Sequence, residues 1–539
     1  MSLRGIDTET MKKIKTGVAY FLLFCIGVIA GGILFLSLAV SPKPDMQLYA
    51  AVSRLPSIKP DYVDVTIPPN IAPLNFMVEE PGDAYFVRLT GQSGACIEIA
   101  SKTSGIKIPS SKWKKLLSGN AGRSYRMDIC VKKGKQWVRF APVTNEIAKE
   151  KIDPYCTYRK LATLFYNPNP EMGIYQRNIE NFEERLILHR RQVENDCINC
   201  HTSGADRTET MLFHVRRSHD RGPGMVIMHK GTVRFETNSM TPRGLISLTS
   251  IHPDGTVMAF AAVKMGFFSF IGNGSNDERL QFEYSADLGL YDIVTGETRF
   301  VPQLSTQEYN ETWPNWSGDG TYLYFSRCKV SWPSPKPNKE RVLPPNYKDV
   351  KYDLMRVSFD PATRTFGEPE MLLGAQETGK SCLQPSVSND GRFVAFFLDD
   401  YGVFPINNPE SDMYLMDMKT RTYKAMACNS PQAESMVRWS ANDRWILFGS
   451  KRRDILYTRL YFAYVDENGR SSRAVELPQE DPLTAETDLR LFTTASFLKD
   501  PHPYDRKDLI NCILSADNND TANAASAKDG GRMPGEQQR

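Results

Sequence analysis

The chain has 539 residues, 41% of them hydrophobic and 11% aromatic, which is room for two or three domains with sizeable cores. Its 66 basic and 63 acidic residues leave a formal net charge of +3, which excludes a nucleic-acid binder needing a concentrated basic surface. Short basic runs such as Lys132-Lys133-Gly134-Lys135 read as solvated faces.

Residues 17–40 form an unbroken apolar run without charge, long enough to cross a bilayer as a helix. Lys12, Lys13 and Lys15 precede it, so the positive-inside bias keeps residues 1–16 in the cytoplasm and exports everything after the run. A cleaved signal peptide, with Ser37-Leu38-Ala39 as its small-residue site, is the alternative. The length of the run favours a retained single-pass anchor in a bacterial inner membrane, with the main body in the periplasm. Residues 41–61 read as a Pro-containing linker.

Residues 62–145 carry short alternating or apolar runs such as Val63-Asp64-Val65-Thr66-Ile67 and Ala84-Tyr85-Phe86-Val87-Arg88-Leu89, and predict a small β-sandwich-like domain. Over 146–215, Ile179, Phe182, Leu186 and Val193 recur near helical spacing, predicting a helical segment that leads into Cys197-Ile198-Asn199-Cys200-His201. Residues 216–505 are strand-rich and repetitive. One pattern recurs four times, at His252-Pro253-Asp254-Gly255, Ser317-Gly318-Asp319-Gly320, Ser388-Asn389-Asp390-Gly391 and Ser440-Ala441-Asn442-Asp443, each feeding an apolar strand that ends in Phe. Asp-Gly between strands signals a hairpin, because Gly supplies the positive φ. A unit this small buries its faces only by stacking on its neighbours, so a ring of blades is expected. The repeats resemble the TolB-like β-propeller repeat over about residues 245–470. The fold class is therefore mainly β, with a propeller of five to seven blades, and residues 506–539 read as a disordered tail.

CxxCH is the attachment motif of a c-type haem. Two thiols bond the haem vinyls, and the adjacent imidazole reaches the iron. Export satisfies the other requirement of that chemistry. The expected cofactor is a covalent haem c on Cys197 and Cys200, with His201 as axial metal ligand. A Cys197–Cys200 disulfide and a structural zinc are the alternatives, and zinc lacks a second ligand pair. For the sixth ligand the order is His214, then Met211, then His189. The stretch from Tyr155 to Arg216 also resembles one found in exported propeller proteins of Gram-negative bacteria. There Tyr-Arg, Gln-Arg-Asn, CxxCH and Phe-His-Val/Leu-Arg segments precede TolB-like blades. Here these are Tyr158-Arg159, Gln176-Arg177-Asn178, the motif itself and Phe213-His214-Val215-Arg216. The resemblance favours His214 over Met211 and brings no established activity. Of the remaining cysteines, Cys96 and Cys130 could form a disulfide within one small domain.

Three functions follow. The first is electron transfer by an anchored mono-haem cytochrome, with a redox partner or another periplasmic protein docked on the propeller face. The second is a haem-propeller oxidoreductase. The third is a propeller binding or scaffold protein with a structural haem. A propeller-type peptidase is excluded, since no nucleophile-elbow motif or hydrolase-sized segment follows the blades.

Overall fold

The computed structural model describes residues 46, 49–162, 171–204, 207–217, 222–237, 239–269, 279–332 and 342–516. The expected tail 1–16, the apolar run 17–40 and residues 517–539 lie outside them. Among the described residues no helix is long and apolar enough to cross a membrane.

The chain is mainly β. Six sheets of four or five strands follow one another from residue 155 to residue 498. The first blade takes Tyr155–Ala162, Met172–Asn178 and Glu184–His189 from its own end of the chain, and its innermost strand, Arg490–Leu498, from the far end. The innermost strands of blades two to six are Cys197–Gly204, Gly244–Ile251, Tyr309–Trp316, Ser381–Val387 and Glu434–Trp439. These six strands touch in order and close on Arg490–Leu498, so the sheets form a β-propeller-like ring sealed by pairing between its two ends.

The recurrent turn has a physical basis. In blade four Ser317 Oγ donates to Asp319 Oδ1 at 2.6 Å and accepts from the N–H of Tyr322 at 3.0 Å. Ser388 repeats this with Asp390 and Phe393, and Ser440 with Asn442 and Trp445. The fourth turn residue needs a left-handed φ, met by Gly255, Gly320 and Gly391 and, in blade six, by Asp443 at φ 57°. Successive turns also touch, as where Asp443 accepts from the N–H groups of Asn389 and Asp390 at 2.7 and 3.0 Å. The same four residues thus close each hairpin and tile one face of the ring.

Before the ring comes a seven-stranded sheet, a three-stranded sheet and the helix Ser110–Gly119. The helix was not anticipated, although Trp113, Leu116 and Leu117 share one face and are buried. The core here is continuous with that of the ring. Ile67, Phe76, Trp113 and Ile129 join one cluster with Trp445 and Phe462 of blade six and Phe497 of blade one. Asp153 accepts from Ala441 N–H at 2.8 Å, and Trp445 Nε1 donates to the Glu150 carbonyl at 3.2 Å. This N-terminal part therefore lies across the seam between blades six and one.

Three expectations are corrected. The helical reading of 146–215 fails, and the ring begins near residue 155 instead of 216. Ile179 and Phe182 flank a hairpin turn, in which the Asn178 and Asn181 side chains accept from the N–H groups of Glu180 and Glu183. Apolar residues on either side of that turn mimicked a helical period. Residues 506–516 are helical, with Leu509 and Ile513 buried against Leu188 and Phe213. Cys96 and Cys130 are both free thiols. In the sheet Cys96 pairs with Thr90 and Cys130 with Phe86, four residues further along the strand between them.

Candidate functional site

The innermost strands share one irregularity. Each carries a β-bulge, at Asn199-Cys200, Leu248-Thr249, Trp313-Pro314, Gln384-Pro385, Met436-Val437 and Thr494-Ala495. In five of the six the first bulge residue has a positive φ: Leu248 45°, Trp313 55°, Gln384 50°, Met436 58° and Thr494 54°. None is glycine, so each costs about 1–2 kcal/mol of backbone strain. Asn199, Leu248, Trp313, Met436 and Thr494 are half-exposed, and Gln384 is buried. Bulges re-aim side chains. Here they do so at one level of all six strands bordering the space the ring encloses.

Polar contacts join this level from blade to blade. Thr202 Oγ1 lies 2.8 Å from Thr249 Oγ1 between blades two and three. Ser250 Oγ accepts from Trp316 N–H at 3.2 Å, and Asn315 Oδ1 from Val387 N–H at 3.0 Å. Gln384 Oε1 accepts from the bulged Met436 N–H at 2.8 Å. Thr494 Oγ1 donates to Met436 Sδ at 3.8 Å, and Arg159 of blade one donates to Asn199 Oδ1. The ring of bulges is thereby held on every side.

The CxxCH motif occupies the bulge of blade two, and this corrects the expectation of a covalently held haem c. The motif lies in an extended strand, not on a helical turn, and its side chains diverge. Cys197 packs with Leu161, Met172 and Leu491, its Sγ 3.6 Å from Met172 Sδ. Cys200 sits 3.6 Å from Asn199 Oδ1. His201 is buried, its Nε2 2.9 Å from Thr157 Oγ1 in blade one. Burial, then the charges of Arg159 and Arg438, push its imidazole down to about 3, so it stays neutral.

The proposed sixth ligands do not meet it. His201 pairs with Phe213, so His214, the next residue, projects from the opposite face of the sheet. His214 pairs with Met225, which packs toward blade three. Both His214 ring nitrogens are buried without a hydrogen-bond partner, and burial pushes the ring down to about 4. Met211 is core beside Ile198 and Met228. His189 accepts from Arg191 N–H and faces Glu171 at 3.8 Å. Among the described residues no three His, Cys, Asp or Glu side chains come together as a metal-binding group.

Two further residues stand at the bulge level: Arg159, part of the Tyr158-Arg159 segment named in the sequence but given no role there, and Arg438, not singled out from it. Arg159 Nε also donates to Thr493 Oγ1 at 3.3 Å, and among the described residues Arg438 donates only to the Val437 carbonyl at 3.0 Å. Both are half-buried, and burial lowers the Arg438 pKa. A signal for the bulges was present. Leu248, Trp313, Gln384 and Met436 each stand four residues before the first residue of the recurrent turn, and Trp313 and Gln384 precede a proline inside a strand. A separate small, partly open pocket at the seam is lined by Arg459, Glu476, Gln479, Thr484, Asp488 and Phe492. Its carboxylates are already matched, Glu476 by Arg453 and Asp488 by Arg490, both at 2.7 Å.

No family model and no curated protein matches the chain. Among solved structures, a mutant of the Synechocystis apocarotenoid oxygenase is similar at 11% identity, covering 80% of this chain and 95% of that one, with a TM-score of 0.37. An oligogalacturonate lyase from Vibrio parahaemolyticus is similar at 11% identity over 74% of this chain and 94% of its own, with a TM-score of 0.33. A nidogen/laminin complex chain is similar at 8% identity over 64% and 99%, with a TM-score of 0.36. These are distant likenesses, and none identifies a function.

Proposed function

We propose that this chain is a binding protein built on a β-propeller-like ring, with its ligand site at the bulge level of the ring axis. The apolar run 17–40 anchors it in the membrane, and the body is exported. One observation carries this reading. Five non-glycine residues are held at positive φ at one level of the innermost strands, where an unbulged strand would cost nothing. Such strain persists where the surrounding structure over-determines it, and here the blade-to-blade hydrogen bonds do so. The residues it presents are amides, hydroxyls, a thioether, an indole and two guanidiniums, which are recognition groups and not an acid–base pair.

The test is a thermal-shift panel of sugars, amino acids, carboxylates and phosphates on the full chain. Each stabilising compound is then repeated on an Asn199→Ala/Met436→Ala double variant. Compounds that stabilise only the parent support the axial site. Equal shifts in both proteins, or none in the parent, refute it. A second reading, docking of a periplasmic protein, is favoured by exposed Leu456, Leu483 and Leu489. They sit on two loops tied together by Arg453 and Glu486 beside the seam pocket.

A further inference from the structure

We infer that the axial site takes an organic anion with an apolar body, its charged head on Arg159 and Arg438 and its body toward Trp313; this rests on the axial binding site proposed above. Two other arginines, which meet carboxylates of innermost strands, show what is missing here. Arg327 meets Glu311 at 3.0 Å, and Arg452 meets Glu434 at 2.9 Å. Arg159 and Arg438 have no carboxylate within ion-pair distance among the described residues, although both are half-buried.

A guanidinium carries five N–H donors in a planar fork that matches carboxylate and phosphate oxygens. Arg438 spends one on Val437, and Arg159 spends its Nε and one Nη on Thr493 and Asn199. Arg159 reaches Thr493 and Asn199, and Thr494 donates to Met436 two residues before Arg438, so both arginines stand at one corner of the axis, between blades six, one and two. Holding two like charges together in partial burial is unfavourable without a counter-charge. The neutral His201 cannot supply one, and no acidic side chain among the described residues does. An incoming anion would.

The opposite wall is of another character. In a ring of six, blade four stands across from blade one, and its bulge presents the half-exposed indole of Trp313. That ring is fixed edge-on to Phe404 with centroids 5.1 Å apart, and its Nε1 donates to the Val403 carbonyl at 2.9 Å. Leu248 of blade three flanks it as a further apolar bulge residue, while the blade-five bulge residue on its other side, Gln384, is buried. A ligand spanning the axis therefore meets guanidinium on one side and an immobilised aromatic face on the other.

Three probes with one body and different heads separate these contributions: 2-naphthoate, 2-naphthylmethanol and 2-naphthylmethylammonium, titrated calorimetrically into the full chain at neutral pH. Naphthoate is expected to bind about tenfold or more tighter than the alcohol, and the ammonium weakest, as charge-assisted hydrogen bonds require. An Arg159→Gln/Arg438→Gln double variant should bring naphthoate down to the level of the alcohol. Arg438→Lys, keeping the charge, should retain part of the preference. Trp313→Leu should weaken naphthoate and the alcohol alike. If the alcohol or ammonium binds as well as naphthoate and Trp313→Leu still weakens it, the anion inference falls while the axial site stands. If no probe binds, or binding ignores every one of these variants, both fall.

Discussion

Replacing Glu283 by Gln should remove a pH dependence that the wild-type ring carries. Glu283 is buried, its Oε1 accepting from Thr312 Oγ1 at 3.0 Å and its Oε2 from Tyr352 Oη at 3.2 Å, with no basic side chain paired to it among the described residues. Burial pushes its carboxyl from 4.5 up to about 8, against the two hydrogen bonds that favour the charged form. Because the folded value lies above the unfolded one, its contribution to stability is complete below about pH 4.5 and is lost as the pH rises through about 8. Linkage between these two values gives a loss of about 3 kcal/mol from pH 6 to pH 9. Gln fits the same hydroxyls and does not titrate. Urea unfolding of both proteins at pH 6 and pH 9 should show the stability difference shifting in the variant's favour by that amount between the two pH values. Glu311, pushed up to about 8, and Asp399, pushed up to about 7, titrate in both proteins and cancel in the difference. Parallel pH profiles would refute the reasoning, by showing that water reaches the carboxylate. The consequence extends to the axis, since Thr312 is the residue before Trp313.

Thiol labelling of the native protein should modify Cys96 fastest and Cys197, Cys200 and Cys512 more slowly, while Cys130, Cys156, Cys328, Cys382 and Cys428 react only on unfolding. Mass mapping of the labelled peptides checks this, and protection of Cys197 and Cys200 equal to that of Cys156 would contradict the open bulge in blade two. Asp443→Gly relieves a left-handed φ worth about 1 kcal/mol but loses the acceptor for the Asn389 N–H, the Asn389 side-chain amide and the Asp390 N–H, at about 1 kcal/mol each. Net destabilisation of about 1–2 kcal/mol is expected, with Asp443→Asn destabilised by about 1 kcal/mol because its amide nitrogen faces the Asp390 N–H, and a Gly variant more stable than the parent in thermal unfolding would show that the turns do not hold the blades together.

The recurrent turn was legible because its chemistry is local. A Ser or His, an Asp or Asn two residues on, and a residue at positive φ close a hairpin within six residues, so blades three to six announce themselves. Blades one and two lack that turn, and the innermost strand of blade one is Arg490–Leu498, more than 300 residues away in the chain. Pairing at such separation leaves no local trace, which is why Met172–Asn178 and Glu184–His189 read as helix.

The CxxCH motif misled for a related reason. Spacing of two thiols and an imidazole specifies haem chemistry only if the backbone brings them to one side, and a helix or turn does so where a strand does not. In blade two the extended backbone sends Cys197 toward Met172, leaves Cys200 at the bulge beside Asn199, and turns His201 to Thr157. The position His201 fills is Ser250, Asn315, Ser386, Arg438 and Ser496 in the other blades, counted from each bulge. Three of these five reach the next blade, Ser250 and Asn315 by side chain and Ser386 through its carbonyl to Trp439 Nε1. His201 also joins two blades, though it reaches back to blade one instead of on to blade three. At that position a side chain's work is mostly to join blades; among the described residues Arg438 and Ser496 make no such bond, and Arg438 is the charged one of the two.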